Sequence, residues 1–153
     1  VDVSLAGPDD VPQLARLLWL FAAPAEQERQ SAEAFAADLR AWWAEHAGSH
    51  VAVVARDGGS DLVGMAWLAL VARVPRPGTT ARRSADVQSV FVLPERRGQG
   101  IGTALVRTAR DRAVALGAAH VSVHASREAV PLYERLGFAS SRLFLVSDRD
   151  QPG

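Results

Sequence analysis

The chain has 153 residues, 17 basic and 17 acidic, and is 48% hydrophobic and 22% charged. That length and balance fit one globular domain spanning 1–153 and argue against disorder, while zero net charge gives no electrostatic reason for a nucleic-acid or anionic-membrane partner. There is no cysteine and every basic residue is arginine, which excludes disulfides, thiolate metal sites, a cysteine nucleophile, Schiff-base chemistry and a P-loop lysine.

In chain order, Val3 and Leu5 begin a short strand that stops at Gly7-Pro8. Val11, Leu14, Leu17, Leu18 and Phe21 recur at helical spacing, with Asp9 and Asp10 suited to the positive end of the first turn. Pro24 interrupts this helix. Ser31 can cap a second one, with Phe35, Leu39 and Trp42 or Trp43 on its apolar face and Gly48 as its stop. The valine-rich run His50 to Arg56, the turn Asp57-Gly58-Gly59-Ser60 and the run Leu62 to Val74 read as a hairpin. A polar loop from Pro75 to about Arg83 leads to a fourth strand, Ala85 to Leu93, stopped by Pro94. Gly100 to Leu116 is helical and ends at Gly117. Ala118 to His124 is a fifth strand, and a short helix from about Glu128 ends before Gly137. Leu143 to Val146 can form a last strand, and Ser147 begins a polar tail. No apolar run is long enough to span a bilayer, and Asp2, Asp9 and Asp10 stand where a signal peptide would be basic, so a cytoplasmic location is expected.

The stretch Val90-Phe91-Val92-Leu93-Pro94-Glu95-Arg96-Arg97-Gly98-Gln99-Gly100-Ile101-Gly102-Thr103 carries the chemistry. A buried strand ends, a glycine-rich turn follows, and a long helix begins. Glycines let the backbone approach a ligand closely, and the first N–H groups of the helix point into the turn, where its dipole favours a phosphate or pyrophosphate. The P-loop ending is missing for want of lysine. A dinucleotide fingerprint counted from Gly98 meets Thr103 where its third glycine belongs, and His124 ends the next strand where an acidic residue would stand.

Arg97, Gly100 and Gly102 resemble the Arg/Gln-x-x-Gly-x-Gly/Ala motif of the GCN5-related N-acetyltransferases (GNAT). Ala129, Tyr133, Gly137 and Phe138 are similar to that family's later Ala…Tyr…Gly-Phe segment. The order strand, two helices, three strands, helix, strand, helix, strand also matches. The resemblance is strongest from Ala85 to Phe138. It implies a mixed α/β fold with a twisted, mostly antiparallel sheet of six to seven strands and about four helices. It also implies acetyl-CoA as co-substrate, its pyrophosphate on the amides of Arg97, Gly98, Gln99, Gly100, Ile101, Gly102 and Thr103. The pantetheine arm would pair with the main chain of Val90, Phe91 and Val92, as strand addition to an open edge. Ser126 stands where many members carry a cofactor-contacting asparagine.

Acetyl transfer to an amine needs a proton acceptor, an oxyanion donor and an acid for the thiolate. The resemblance puts Tyr133, the only tyrosine, at the general-acid position; the plainer role is a core aromatic. Asp86 is the leading base, because strand alternation would put Asp86, Gln88, Val90 and Val92 on one face. Its plainer role is an ion pair with Arg82 or Arg83. Glu26, His124 and water remain alternatives. His120 and His124 lie roughly 13 Å apart on a strand, so no metal is expected. The acceptor is a primary amine of a small molecule or peptide, near Trp19, Phe21, Glu26, Trp42, Trp43 and the loop Arg73 to Arg83. A homodimer is left open. The reading from another class is a non-catalytic acyl-CoA-binding module.

Overall fold

A computed structural model describes residues 1–147; the tail beyond Ser147 lies outside the described residues. The elements are β1 (Asp2–Leu5), α1 (Val11–Phe21), α2 (Pro24–Gln27), α3 (Ala32–His46), β2 (His50–Arg56), β3 (Leu62–Arg73), β4 (Arg82–Val92), α4 (Ile101–Ala115), β5 (Ala118–Val123) and α5 (Val130–Arg135). Local chemistry explains several boundaries. Ser31 Oγ accepts from Ala34 N at 3.2 Å and opens α3, and Pro24 opens α2 at a position that needs no N–H. Gly117 and Gly137, at φ 88°, follow the ends of α4 and α5.

The five strands lie in the order β1-β2-β3-β4-β5. Neighbours are antiparallel except for β4 and β5, which run parallel with α4 as the crossover. Residues Leu62–Ala69 of β3 are all buried, as a central strand covered on both faces must be. Phe91 meets Phe21 of α1 at 5.7 Å between ring centroids, whereas its neighbour Val92 points to α4, so the two helices cover opposite faces. The closest approach of α4 is at Gly64, where a Cβ would lie 3.0 Å from Leu105 Cδ1 and 3.1 Å from Phe91 O. α3 packs on α1 and brings Trp43 edge-on to Trp67, at 5.1 Å.

The architecture is the expected mixed α/β domain, with two corrections. The described residues form five strands rather than six or seven, because Leu143–Val146 does not join the sheet. Leu143 and Leu145 are 93% and 88% exposed, and a turn at Ser141 holds Leu143 N to Ser141 Oγ. A run of four has few ladder bonds to set against the entropy of ordering it, and here, unlike Asp2–Leu5 on β2, no neighbouring strand among the described residues takes it up. The second correction concerns the loop from Pro75 to Arg83. Its flanks continue the hairpin, with Arg73 opposite Arg82, and Arg76 and Thr79 bonded in both directions around Pro77-Gly78. Gly78 supplies the positive φ, 80°, that the turn requires. The result is an exposed arm beyond the sheet.

Candidate functional site

The chain leaves β4 through a 3-10 turn at Pro94–Arg96 and reaches α4 by way of Gly98 and Gly100, at φ 75° and 80°. Gly100 is the N-cap of α4 and offers no side chain to the helix end. The N–H groups of residues 98 to 103 have no backbone partner among the described residues, while Ala104 N returns to Gly100 O at 3.0 Å. A Cβ added at Gly98 or Gly100 would meet nothing within 4 Å. The requirement for glycine is therefore conformational, and the space above the turn is open to a ligand. Arg97 stays at the rim, its Nε donating to Val92 O at 3.1 Å and its guanidinium 5.8 Å from the Phe91 ring. Arg96 is committed to Asp57.

This turn forms one wall of a cleft of about 780 Å³. Of the residues read from sequence as cofactor contacts, Val90, Phe91, Val92, Arg97, Gly98, Gly100, Ile101, Gly102, Thr103 and Ser126 line it; Gln99 does not. Leu20 and Phe21 from α1, Arg96 from the turn, and Glu128, Ala129, Leu132 and Arg135 in and before α5 complete the walls. Leu132 was visible in the motif beside Tyr133, but Leu20 carries no sequence signal beyond helical periodicity. Ser126 also serves α5, its carbonyl accepting from Ala129 N and Val130 N.

The cleft opens because β4 leaves β5. Their pairing ends at Val87–Val123, so the β4 main chain beyond it is free on that side. Just there β4 carries a bulge. Gln88 faces Trp67 and Phe91 faces Met65, so Ser89 and Val90 stand against Ala66 alone, and Ser89 takes φ 48°. The extra residue overturns the expected alternation. Asp86, Gln88 and Phe91 share the face of α1, while Val92 turns to α4, against Gly64 and Gly102. Asp86 therefore does not share a face with Val92.

Asp86 is half-buried, and both its oxygens are held by neutral donors: Ser122 Oγ at 3.2 Å and Gln88 Nε2 at 3.0 Å. The ion pairs among the described residues are Arg56–Asp10, Arg96–Asp57 and Arg110–Asp111, so neither Arg82 nor Arg83 neutralises it. Pairing puts His50, Ala69, Asp86 and Ser122 in one cross-strand row. His50 was missed as a neighbour because only the register reveals it. Burial and the adjacent His46 push its imidazole below the ordinary range. Glu26 folds back on Ala23 N at 2.8 Å as a helix cap, and His124 is exposed past the end of β5.

Tyr133 is buried on α5 in a small cluster with Val106 and Leu136, 5.5 Å from the Phe138 ring, and burial raises its phenol. It lines not the first cleft but a neighbouring concavity of about 810 Å³ along the open edge of β5, with His120, Ser122 and Val123. Val90 and Val123, on either side of the strand separation, pack on the Tyr133 cluster. Most tryptophans have structural work. Trp19 Nε1 donates to Gln30 O, Trp43 Nε1 donates to His50 O, and Trp42 stacks on His46 at 4.6 Å. Among the described residues there is no group of three or more His, Asp or Glu placed to hold a metal, and no helix long and apolar enough to cross a membrane.

The model of the Acetyltransferase (GNAT) family matches residues 12–138. No curated protein matches the chain. Among solved structures it is similar to a ribosomal-protein-alanine N-acetyltransferase of Brucella melitensis, at 26% identity and TM-score 0.73 over 97% of this chain and 99% of that one. A glucosamine-6-phosphate N-acetyltransferase of Arabidopsis thaliana superposes with TM-score 0.75 at 16% identity, covering 97% and 98%. A Clostridium acetobutylicum protein solved with acetyl-CoA superposes with TM-score 0.70 at 16% identity, covering 96% and 95%.

Proposed function

Because the chain belongs to the GNAT acetyltransferase family, we propose that it moves an acetyl group from acetyl-CoA to a primary amine, in one step within a ternary complex. The observation that carries this reading is the row of unpartnered N–H groups from residue 98 to residue 103 above open space. Donors fixed by the helix N-terminus suit a pyrophosphate without needing lysine. The main chain of Val90 to Val92, unpaired with β5 but with Val92 O accepting from Arg97 Nε, suits an extended amide-bearing arm laid beside it.

Acetyl-CoA supplies the activated thioester. The amine nitrogen bonds to the acetyl carbon, the carbon–sulfur bond breaks with its electron pair on sulfur, and one amine proton must leave. In our reading Asp86 accepts that proton, directly or through water. Its oxygens are oriented by Ser122 and Gln88, and it belongs to no ion pair among the described residues. Tyr133 is the proton donor to the thiolate, by resemblance and by its position beside the strand separation. The non-catalytic reading draws on one observation: the Tyr133 side chain lines the neighbouring concavity. An acetylation assay over a panel of amines, with CoA release as readout, separates the two. Release that depends on the amine supports transfer. Thermal stabilisation by acetyl-CoA with no release for any amine leaves the binding module.

A further inference from the structure

Between Asp61 and Asp86 the chain has four arginines, Arg73, Arg76, Arg82 and Arg83, and no carboxylate, leaving 13 basic against 17 acidic residues elsewhere. These residues build the end of β3, the arm and the start of β4. None of the four belongs to an ion pair among the described residues. Arg73 and Arg82 stand directly opposite each other, and like charges in that position destabilise a hairpin unless something outside neutralises them. Arg82 spends one N–H on Val74 O at 2.7 Å, and Arg73 is exposed.

Register then decides where this charge points. Rows Ala69–Asp86, Val71–Ser84 and Arg73–Arg82 follow one another on a single face of the sheet, whereas Arg83 faces the other way. An unneutralised carboxylate and an arginine pair thus lie on one lane, roughly 13 Å apart at strand rise. Val71, half-exposed between them, offers an apolar contact.

We propose that this lane docks an acidic peptide as the acetyl acceptor, its free amine at Asp86 and a carboxylate on Arg73 and Arg82. This rests on the acetyl-transfer reading above. An extended peptide rises about 3.3 Å per residue and turns alternate side chains to one face, so its fifth side chain meets the arginine row, while its third passes over Val71 on the same face, one row short of the arginines. A polynucleotide fits less well, because its phosphates would pass over the Asp86 carboxylate.

The test uses the whole chain and two labelled pentapeptides with free amino termini, Ala-Gly-Glu-Gly-Glu and Ala-Gly-Gln-Gly-Gln. Binding is read by anisotropy and acetylation by CoA release. At low salt the glutamate peptide should bind about tenfold tighter, a margin that shrinks as salt rises. Arg73→Gln should remove most of it and Arg83→Gln little, while acetyl-CoA stabilises both variants as it does the parent. Equal binding of the two peptides overturns the proposal. So does an equal effect of the two substitutions, which would mean steering by net charge alone, or displacement of the glutamate peptide by a DNA duplex that binds tighter. Arg73-dependent binding without acetylation keeps the docking lane and defeats the transfer reading. Acetylation of both peptides at one rate defeats the lane alone.

Discussion

Replacing Gly100 by alanine separates the two properties that the turn before α4 combines. Gly100 sits at φ 80°, ψ 1°, where an L-residue is disfavoured by about 1–2 kcal/mol. A Cβ there meets nothing within 4 Å, so no clash adds to that figure. The stiffer unfolded chain offsets about 0.4–1 kcal/mol of that cost. The apo protein should therefore lose about 1 kcal/mol, or a Tm shift of about 2–4 °C for a chain of this size. The larger effect belongs to the ligand. The methyl group enters the space above the free N–H groups, so acetyl-CoA should lose its stabilisation, about 2.7 kcal/mol at a hundredfold excess over Kd in the parent. Two alanine variants bracket the measurement. At Gly102, where φ is not positive, a Cβ makes ordinary contact with Leu132 Cδ1 at 3.5 Å, so stability and the ligand shift should both persist. At Gly64 it would crowd Leu105 and the Phe91 carbonyl, costing about 1–3 kcal/mol while sparing the ligand shift. Thermal unfolding with and without acetyl-CoA reads all three. A Gly100→Ala protein that keeps the full ligand shift would refute the cradle and leave the turn a mere connection.

Tyr133→Phe should lower turnover on the order of a hundredfold with acetyl-CoA affinity unchanged, and equal turnover would assign the ring to packing alone. Asp86→Asn should be most deleterious at low pH, where the amine arrives protonated, and the deficit should narrow in alkali; an activity ratio flat across pH excludes the base role. Asp10 is held by Arg56 through two bonds of 2.9 and 2.8 Å, and by Gly7 N, so its carboxyl lies below the usual range. A depressed folded value means stability that is complete above the unfolded range near 4 and lost as pH falls through the folded value. Asp10→Asn should thus cost about 1 kcal/mol at neutral pH, after discount for solvent screening, and the gap from the parent should close in acid unfolding scans.

Features set by local chemistry were legible in the sequence. Ser31, Pro24 and the glycines after α4 and α5 mark boundaries where they are found, because caps and breakers act within a few residues. The glycine-rich turn was legible for the same reason. What depends on pairing was not. Ser89 is neither glycine nor asparagine, and nothing in its neighbours announces a positive φ, so the alternation carried through Val92 was broken unseen. Leu143 to Val146 has the composition of a strand, yet no ladder forms for it among the described residues. The row joining His50 to Asp86 and Ser122 exists only once three registers are known.

The bulge in β4 divides the strand by its length rather than by its residue types. Asp86 and Gln88 look out on the α1 face, and three positions later Phe91 closes that same face while Val92 seals against α4. Exchanging Ser89 for another residue leaves the count intact, so the side chains on either side keep their faces. Removing one residue between Gln88 and Phe91 would take out the bulge and leave plain alternation over two steps, under which Phe91 still faces α1 and Val92 still faces α4. The bulge is thus the one place in β4 where the register can absorb a deletion, and what such an edit removes is the bend at the point where β4 leaves β5.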